Sequence, residues 1–283
     1  MGDMAAGEQT PFNTDPRMRH DEPEIVAPGV RRVVADNPSP MTFTGTASYL
    51  VGERDLALID PGPDDAAHAE ALLAAVPPGA RIGTILVTHA HRDHTGNVAR
   101  LQAATGAPVL AFGPLGAGRS ARMAALAQRM PVAGGEGGDG DFMPDRCLAD
   151  DAVVAGEGWR LRAVHTPGHI GNHLCFALEG TGVLFSGDTV MGWSTTIVSP
   201  PEGDMAAFMA SLRRLASRGE TRFLPGHGHP IEDPAAMIAW QIAHRQGRER
   251  SIVAALAAGP ATPAELVARI YDGLNPALTG AAA

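Results

Sequence analysis

The chain has only two cysteines among its 283 residues, Cys147 and Cys175, and no Cys-x-x-Cys pair. Neither a disulfide framework nor a thiolate metal site can organise this fold. Cys175 lies in the apolar run His173-Leu174-Cys175-Phe176-Ala177-Leu178, where a thiol reads as a small buried hydrophobe. Aromatic residues make up only 5%, few for a surface that stacks on bases. No apolar run reaches the ~18 residues needed to cross a bilayer. The N-terminal stretch lacks the apolar core of a secretory signal. These absences lead us to expect no membrane partner and a cytoplasmic location. Positive charge is also in the minority, with a formal net charge of −9, which argues against a broad nucleic-acid surface.

An apolar fraction of 45% is ordinary for a globular protein with a sizeable core. Residues 1–24 are polar and aperiodic and read as a disordered or draped arm. From Ile25 onward, short β-like runs alternate with helical patterns, the mark of an α/β domain. The runs are Ala47–Val51, Leu56–Asp60, Ile82–Thr88, Pro108–Phe112, Ala152–Val154, Arg160–His165, His173–Leu178, Val183–Ser186 and Arg222–Leu224. Helices are predicted over Asp65–Val76, Asn97–Ala104 and Ser120–Met130, and after an N-cap at Asp204. Gly134–Gly140 reads as a flexible loop without phosphate-binding chemistry. The main domain is expected over 25–234, followed by a helical segment over 235–283. That segment begins with one long helix, and Thr262-Pro263-Ala264-Glu265 then opens another through a capping box.

The sharpest signal is Thr88-His89-Ala90-His91-Arg92-Asp93-His94. Three imidazoles and a carboxylate within six residues resist a structural explanation, because both residue types are buried only when partnered. The cluster follows the apolar strand run Ile85-Leu86-Val87. An i, i+2 spacing points His89 and His91 to one side, towards one ion. Asp93 and His94, past the turn, can face a second. Four other strand runs also end in small or proline-containing turns that bear His or Asp. They lead into Asp60, Thr166-Pro167-Gly168-His169, Ser186-Gly187-Asp188 and Pro225-Gly226-His227. Strand carboxyl ends are where ligand crevices form in α/β sheets, so these turns are expected to converge.

This set of motifs resembles that of the metallo-β-lactamase superfamily, with the His-x-His-x-Asp-His signature first and the later motifs in order, over about Ile25 to Pro230. The resemblance implies a four-layer αββα sandwich with the site at one edge of the sheets. It also implies His89, His91 and His169 on one metal, Asp93, His94 and His227 on the other, and Asp188 bridging. Asp60 would orient a ligand from behind. Within the superfamily, the chain looks closest to a β-lactamase-like endoribonuclease branch with a C-terminal winged-helix-like domain. Supporting residues are Asn37-Pro38-Ser39-Pro40-Met41 and Gly45-Thr46-Ala47-Ser48-Tyr49-Leu50-Val51-Gly52. Ala47 departs from the asparagine common in that branch, and the terminal segment looks like a partial winged helix.

The chemistry expected is hydrolysis by a dinuclear zinc site, since two zinc ions sharing a water generate hydroxide near neutral pH. Manganese or iron also suits all-N/O ligation. Asp93 is the expected catalytic residue, binding metal and orienting the nucleophile. His173 has two readings, substrate contact at the pocket mouth or a hydrogen-bonded histidine at a strand start. Trp193 could line the pocket or pack in the core, and Trp240 could form a homodimer contact or pack on the sandwich. The expected substrate is a small ester, thioester or lactam-like molecule. The alternatives are single-stranded RNA and a non-hydrolytic di-iron redox role. For the last, retention of His91 is unfavourable, since redox relatives usually carry a carboxylate in place of a ligand histidine.

Overall fold

The computed structural model describes residues 10–129 and 137–271. Seven strands pair in chain order into one sheet: β1 (Glu24–Ala27), β2 (Val30–Val34), β3 (Ala47–Val51), β4 (Asp55–Ile59), β5 (Arg81–Leu86), β6 (Val109–Ala111) and β7 (Arg146–Cys147). The pairs are antiparallel up to β4 and parallel from there on. Five more form the second sheet in the order β12-β11-β10-β9-β8: β8 (Val153–Gly156), β9 (Trp159–His165), β10 (Leu174–Leu178), β11 (Val183–Gly187) and β12 (Arg222–Pro225). Only β11 and β12 pair in parallel there.

Parallel neighbours need a crossover, usually a helix. Here α1 (Ala66–Ala74) joins β4 to β5, while α2 (Arg92–Thr95) and α3 (Val98–Thr105) lie between β5 and β6. Next come α4 (Ala121–Ala127), then α5 (Met205–Ala216) between β11 and β12, then α6 (Pro234–Leu256) and α7 (Pro263–Ile270). The starts follow side-chain chemistry. Asp65, Ser120, Asp204 and Asp233 each accept a backbone N–H of their helix's first turn, satisfying groups that the helix cannot. Thr262 and Glu265 form the expected capping box.

The strands' period of two sorts their side chains between layers. Tyr49, Val51, Ile59 and Leu86 face Leu161, Phe176, Phe185 and Leu224 of the other sheet. The intervening Leu50, Leu58 and Ile85 pack with Leu72 of α1 and Leu101 of α3. On the second sheet's outer face, Val164, Cys175, Leu184 and Phe223 pack with Phe208, Leu212 and Leu215 of α5 and Met237 and Ile238 of α6. The result is the four-layer αββα sandwich.

Three strands, β1, β2 and β7, escape the sequence reading. The alternation of β2 is obscured by Arg31-Arg32, yet Arg32 is buried, its guanidinium bonded to Glu24 (2.6 Å) and to the Gly228 carbonyl (3.1 Å). Because the chain has no lysine, every ion pair among the described residues draws its cation from arginine or histidine. The described part of the N-terminal segment lies against the sandwich: Asn13 N–H donates to Gly192 O (2.8 Å), and Phe12 meets Trp240 edge-on. Met130 at the end of the expected helix, residues 134–136 of the glycine-rich stretch, and residues 272–283 of the expected winged helix lie outside the described residues.

Candidate metal centre

Every expected ligand sits just beyond a strand's carboxyl end. Asp60 follows β4, and His89 and His91 follow β5. His91 caps α2, which carries Asp93 and His94. His169 follows β9, Asp188 follows β11 and His227 follows β12. All five histidines and Asp188 are buried, whereas Asp93 keeps 23% of its side chain exposed. Two glycines make room for them. A Cβ on Gly226 would lie 2.3 Å from Asp188 Oδ1, and one on Gly187, at φ +47°, would lie 2.6 Å from His173 Nε2.

Proton bookkeeping shows which nitrogens face inward. The Thr88 hydroxyl donates to Asp60 Oδ2 (2.8 Å), so it accepts from His89 Nδ1 (3.0 Å), which leaves a lone pair on His89 Nε2. His169 Nδ1 donates to Ile197 O (2.7 Å), leaving a lone pair on its Nε2. Both of these nitrogens approach His91 Nδ1, at 2.9 and 3.1 Å. His91 can offer one proton at most to two acceptors. Three imidazole nitrogens so arranged are near the spacing of about 3.3 Å that a tetrahedral ion with Zn–N of about 2.0 Å would impose.

Beside this triad, Asp93 Oδ2 lies 3.4 Å from His94 Nε2 and 3.2 Å from His227 Nε2. Asp188 Oδ2 stands between the clusters, 3.9 Å from His89, 3.8 Å from His169 and 3.2 Å from His227. His94 Nε2 and Asp188 Oδ1 are buried, 3.6 Å apart, and neither has a hydrogen-bond partner. Buried polar atoms without partners are rare and demand an explanation. The groups His89–His91–His169, His89–His94–Asp188 and Asp93–His94–His227 could each hold an ion.

The two halves differ electrostatically. Burial, then neighbouring histidines, hold His89 well below its ordinary pKa and His91 down to about 3. Both are neutral at pH 7, the form that ligates. Burial alone would also lower His94 and His227. The Asp93 and Asp188 carboxylates outweigh it, holding His94 well above its usual value and His227 up at about 10. Conversely, burial would raise Asp93 and Asp188, but His94 and His227 hold both below the carboxylate range.

Asp60 accepts from His94 Nδ1 (2.9 Å), Thr88 N–H (2.7 Å) and the Thr88 hydroxyl. His173 requires a correction. It is fully buried behind Asp188, whose N–H donates to its Nε2 (3.1 Å), while Nδ1 meets the Thr166 and Thr189 hydroxyls (2.9 and 3.1 Å). With both nitrogens engaged there, it is the hydrogen-bonded strand-start histidine and faces no substrate. Trp193 stacks on Phe43 (5.0 Å), and Trp240 packs on Phe12 and His244.

The sequence reading missed Thr46. Its hydroxyl donates to Asp93 Oδ2 (3.1 Å) and accepts from Asn37 Nδ2 (3.0 Å), while its N–H donates to Asn37 Oδ1 (2.8 Å). Both residues lie in stretches already singled out by resemblance, but no local pattern reveals a contact across 47 residues of chain. A cavity of about 230 Å³ opens onto the site, lined by Met41, Thr42, Arg92 and four of the expected ligands.

The family described as the metallo-beta-lactamase superfamily matches residues 41–227. The chain belongs to this superfamily. An atrochrysone carboxyl ACP thioesterase of Aspergillus fumigatus is 34% identical over 271 residues, which are 89% of this chain and 76% of the relative. A metallo-beta-lactamase family protein of Thermus thermophilus superposes with a TM-score of 0.69 at 26% identity, covering 87% of this chain and 88% of its own. A protein solved in a di-iron-bound form is 32% identical, with a TM-score of 0.54 over 74% of this chain and 96% of its own. This metallo-beta-lactamase superfamily member is a hydrolase, with its His/Asp clusters at the sheet edge where the superfamily resemblance put the site.

Proposed function

We propose that the chain is a dinuclear metal-dependent thioester hydrolase. The observation that carries the metal reading is the convergence of His89 Nε2, His91 Nδ1 and His169 Nε2 beside two partnerless buried atoms, His94 Nε2 and Asp188 Oδ1. On this reading, His89, His91 and His169 hold one ion, Asp93, His94 and His227 hold the other, and Asp188 reaches both. When bound, two such ions supply Lewis acidity and bring the pKa of a water towards neutrality. The thioester reading is supported by the name of the 34% identical relative.

In the reaction, water oxygen bonds to the acyl carbon and the carbon–sulfur bond breaks, giving a carboxylic acid and a thiol. Asp93 is the expected ligand most open to the cavity, with a carboxylate placed to orient the attacking water. Arg92, Met41 and Thr42 are the lining residues left for substrate contact. Single-stranded RNA fits this cavity poorly, since among the described residues its lining has no phenylalanine, tyrosine or tryptophan and a single arginine. Nor is the basic run on α6 an open phosphate face. Arg245 lies over Phe208 and bonds to Thr196 O, and Arg248 lies over Tyr271.

Zinc is the metal we assign to this donor set. Iron is the second reading, favoured by the di-iron-bound neighbour. Mass-spectrometric metal analysis with turnover on an acyl thioester, single-stranded RNA, a phosphodiester and a cephalosporin tests the proposal. About two zinc ions per chain are expected, with the thioester turned over and both lost in His91→Ala. Metal-dependent RNA cleavage without thioester turnover would overturn the substrate reading, and redox-active stoichiometric iron the hydrolytic one.

A further inference from the structure

The region of α6 lies wholly beyond residues 41–227, the stretch matched by the family, yet this helix grips the loop between Asp188 and α5 at two points. Gln241 is buried and donates through Nε2 to Met191 O (3.4 Å). One turn later, Arg245 bonds through its guanidinium to Thr196 O and lies 5.5 Å from the Phe208 ring centroid. The loop residues so held touch the expected ligands directly. The Thr196 hydroxyl donates to Asp188 O (2.8 Å), and the next carbonyl, Ile197 O, accepts from His169 Nδ1 (2.7 Å).

Arg245 is an expensive way to hold a loop. Its Nε is buried without a hydrogen-bond partner, and among the described residues no carboxylate pairs with it. Burial, the largest cause, holds its pKa below the ordinary arginine value. A desolvated cation kept without a counter-charge costs stability, while a planar fork fixes a carbonyl more rigidly than a shorter or more flexible donor.

We propose that Arg245 is a positioning residue of the active site: from α6 it fixes the carbonyl of Thr196, and through residues 196–197 it sets the ring of His169 and the backbone of Asp188. The helix beyond the matched region is then a working part of the metal centre. This rests on the reading that His169 and Asp188 hold metal. Groups that orient a metal-binding histidine typically govern affinity or activity by about 10–100-fold, and Arg245 acts one step further back.

The test compares wild type with Arg245→Met and Arg245→Lys, using zinc alone as the probe in chelator competition and recording the His169 Nδ1–H resonance in parallel. In Arg245→Met, about tenfold weaker retention of one of two zinc ions is expected, with faster exchange of that imidazole proton and kcat falling more than KM changes. Arg245→Lys, which can still donate to Thr196 O, should recover part of both, and it decides the matter if the methionine variant fails to fold. A folded Arg245→Met protein with wild-type zinc affinity and an unchanged His169 proton overturns the proposal. If wild type takes up no zinc, the metal reading falls. The exchange of the His169 proton still decides whether Arg245 positions that ring.

Discussion

Asp60 Oδ2 lies 2.9 Å from His94 Nδ1 and 2.8 Å from the Thr88 hydroxyl, and that hydroxyl in turn meets His89 Nδ1 at 3.0 Å. One buried carboxylate, on a residue at φ +54°, therefore sets two imidazoles assigned to different ions. A non-glycine residue in that left-handed region is uncommon and held there by its surroundings.

Asp60→Asn should accordingly weaken the centre as a whole. The amide can present only one acceptor oxygen to three donors, so His94 or Thr88 loses its partner. A drop of about 10–100-fold in metal affinity is expected, with a matching loss of activity. Asp60→Ala should add an unfolding penalty of about 1–3 kcal/mol for each buried donor left unsatisfied. Chelator competition and denaturant titration check the two parts. Wild-type affinity for both ions in a folded Asp60→Asn protein would sink this role.

Thr46→Val removes the hydroxyl between Asn37 and Asp93 while preserving shape. The half-buried Asn37 amide loses its acceptor, and a destabilisation of about 1 kcal/mol follows. Asp93 loses its donor and is expected to orient less well, lowering kcat. Thr46→Ser should restore most of both. If Thr46→Val and Thr46→Ser behave alike in urea titration and turnover, the hydroxyl has no such function.

The two cysteines should differ sharply towards a thiol reagent. Cys147 is exposed. Cys175 is buried beneath α5 with its thiol pushed up to about 12 by burial, despite a contact with the Thr166 hydroxyl at 3.3 Å. Since the thiolate is the reactive form, one cysteine should react with the reagent in the folded protein and both in denaturant. Rapid modification of both under native conditions would contradict this burial.

The candidate ligands were legible in the sequence because each lies in a turn that closes an apolar run, and the superfamily resemblance grouped them. What stayed hidden was long-range. Thr46 reaches Asp93 only because residues preceding β3 pair with the turn at His227, where Ala47 N–H donates to Gly226 O at 2.8 Å. Likewise, the sequence reading left His173 two roles, and only packing against Asp188 chose between them.

His68 gives the chain an acid-sensitive fastening. Its ring is fully buried, with Nδ1 2.8 Å from Asp21 Oδ1 and Nε2 2.9 Å from Ser48 Oγ. Burial, the largest cause, outweighs the Asp21 carboxylate and lowers the folded-state pKa below the ordinary 6.5. The unfolded chain therefore binds the proton more readily than the folded one. This contribution to stability is complete above pH 6.5 and is lost as the pH falls towards the folded-state value. The N-terminal segment should loosen first, because Asp21 belongs to it and its N–H donates to Val34 O (2.8 Å). Urea unfolding of wild type and His68→Gln at pH 7.5, 6.5 and 5.5 separates this effect from other titrations. The stability difference between the two proteins should shift against wild type as the pH drops, with faster amide exchange at Asp21. A difference that stays constant across that range would show that His68 is not the group responsible.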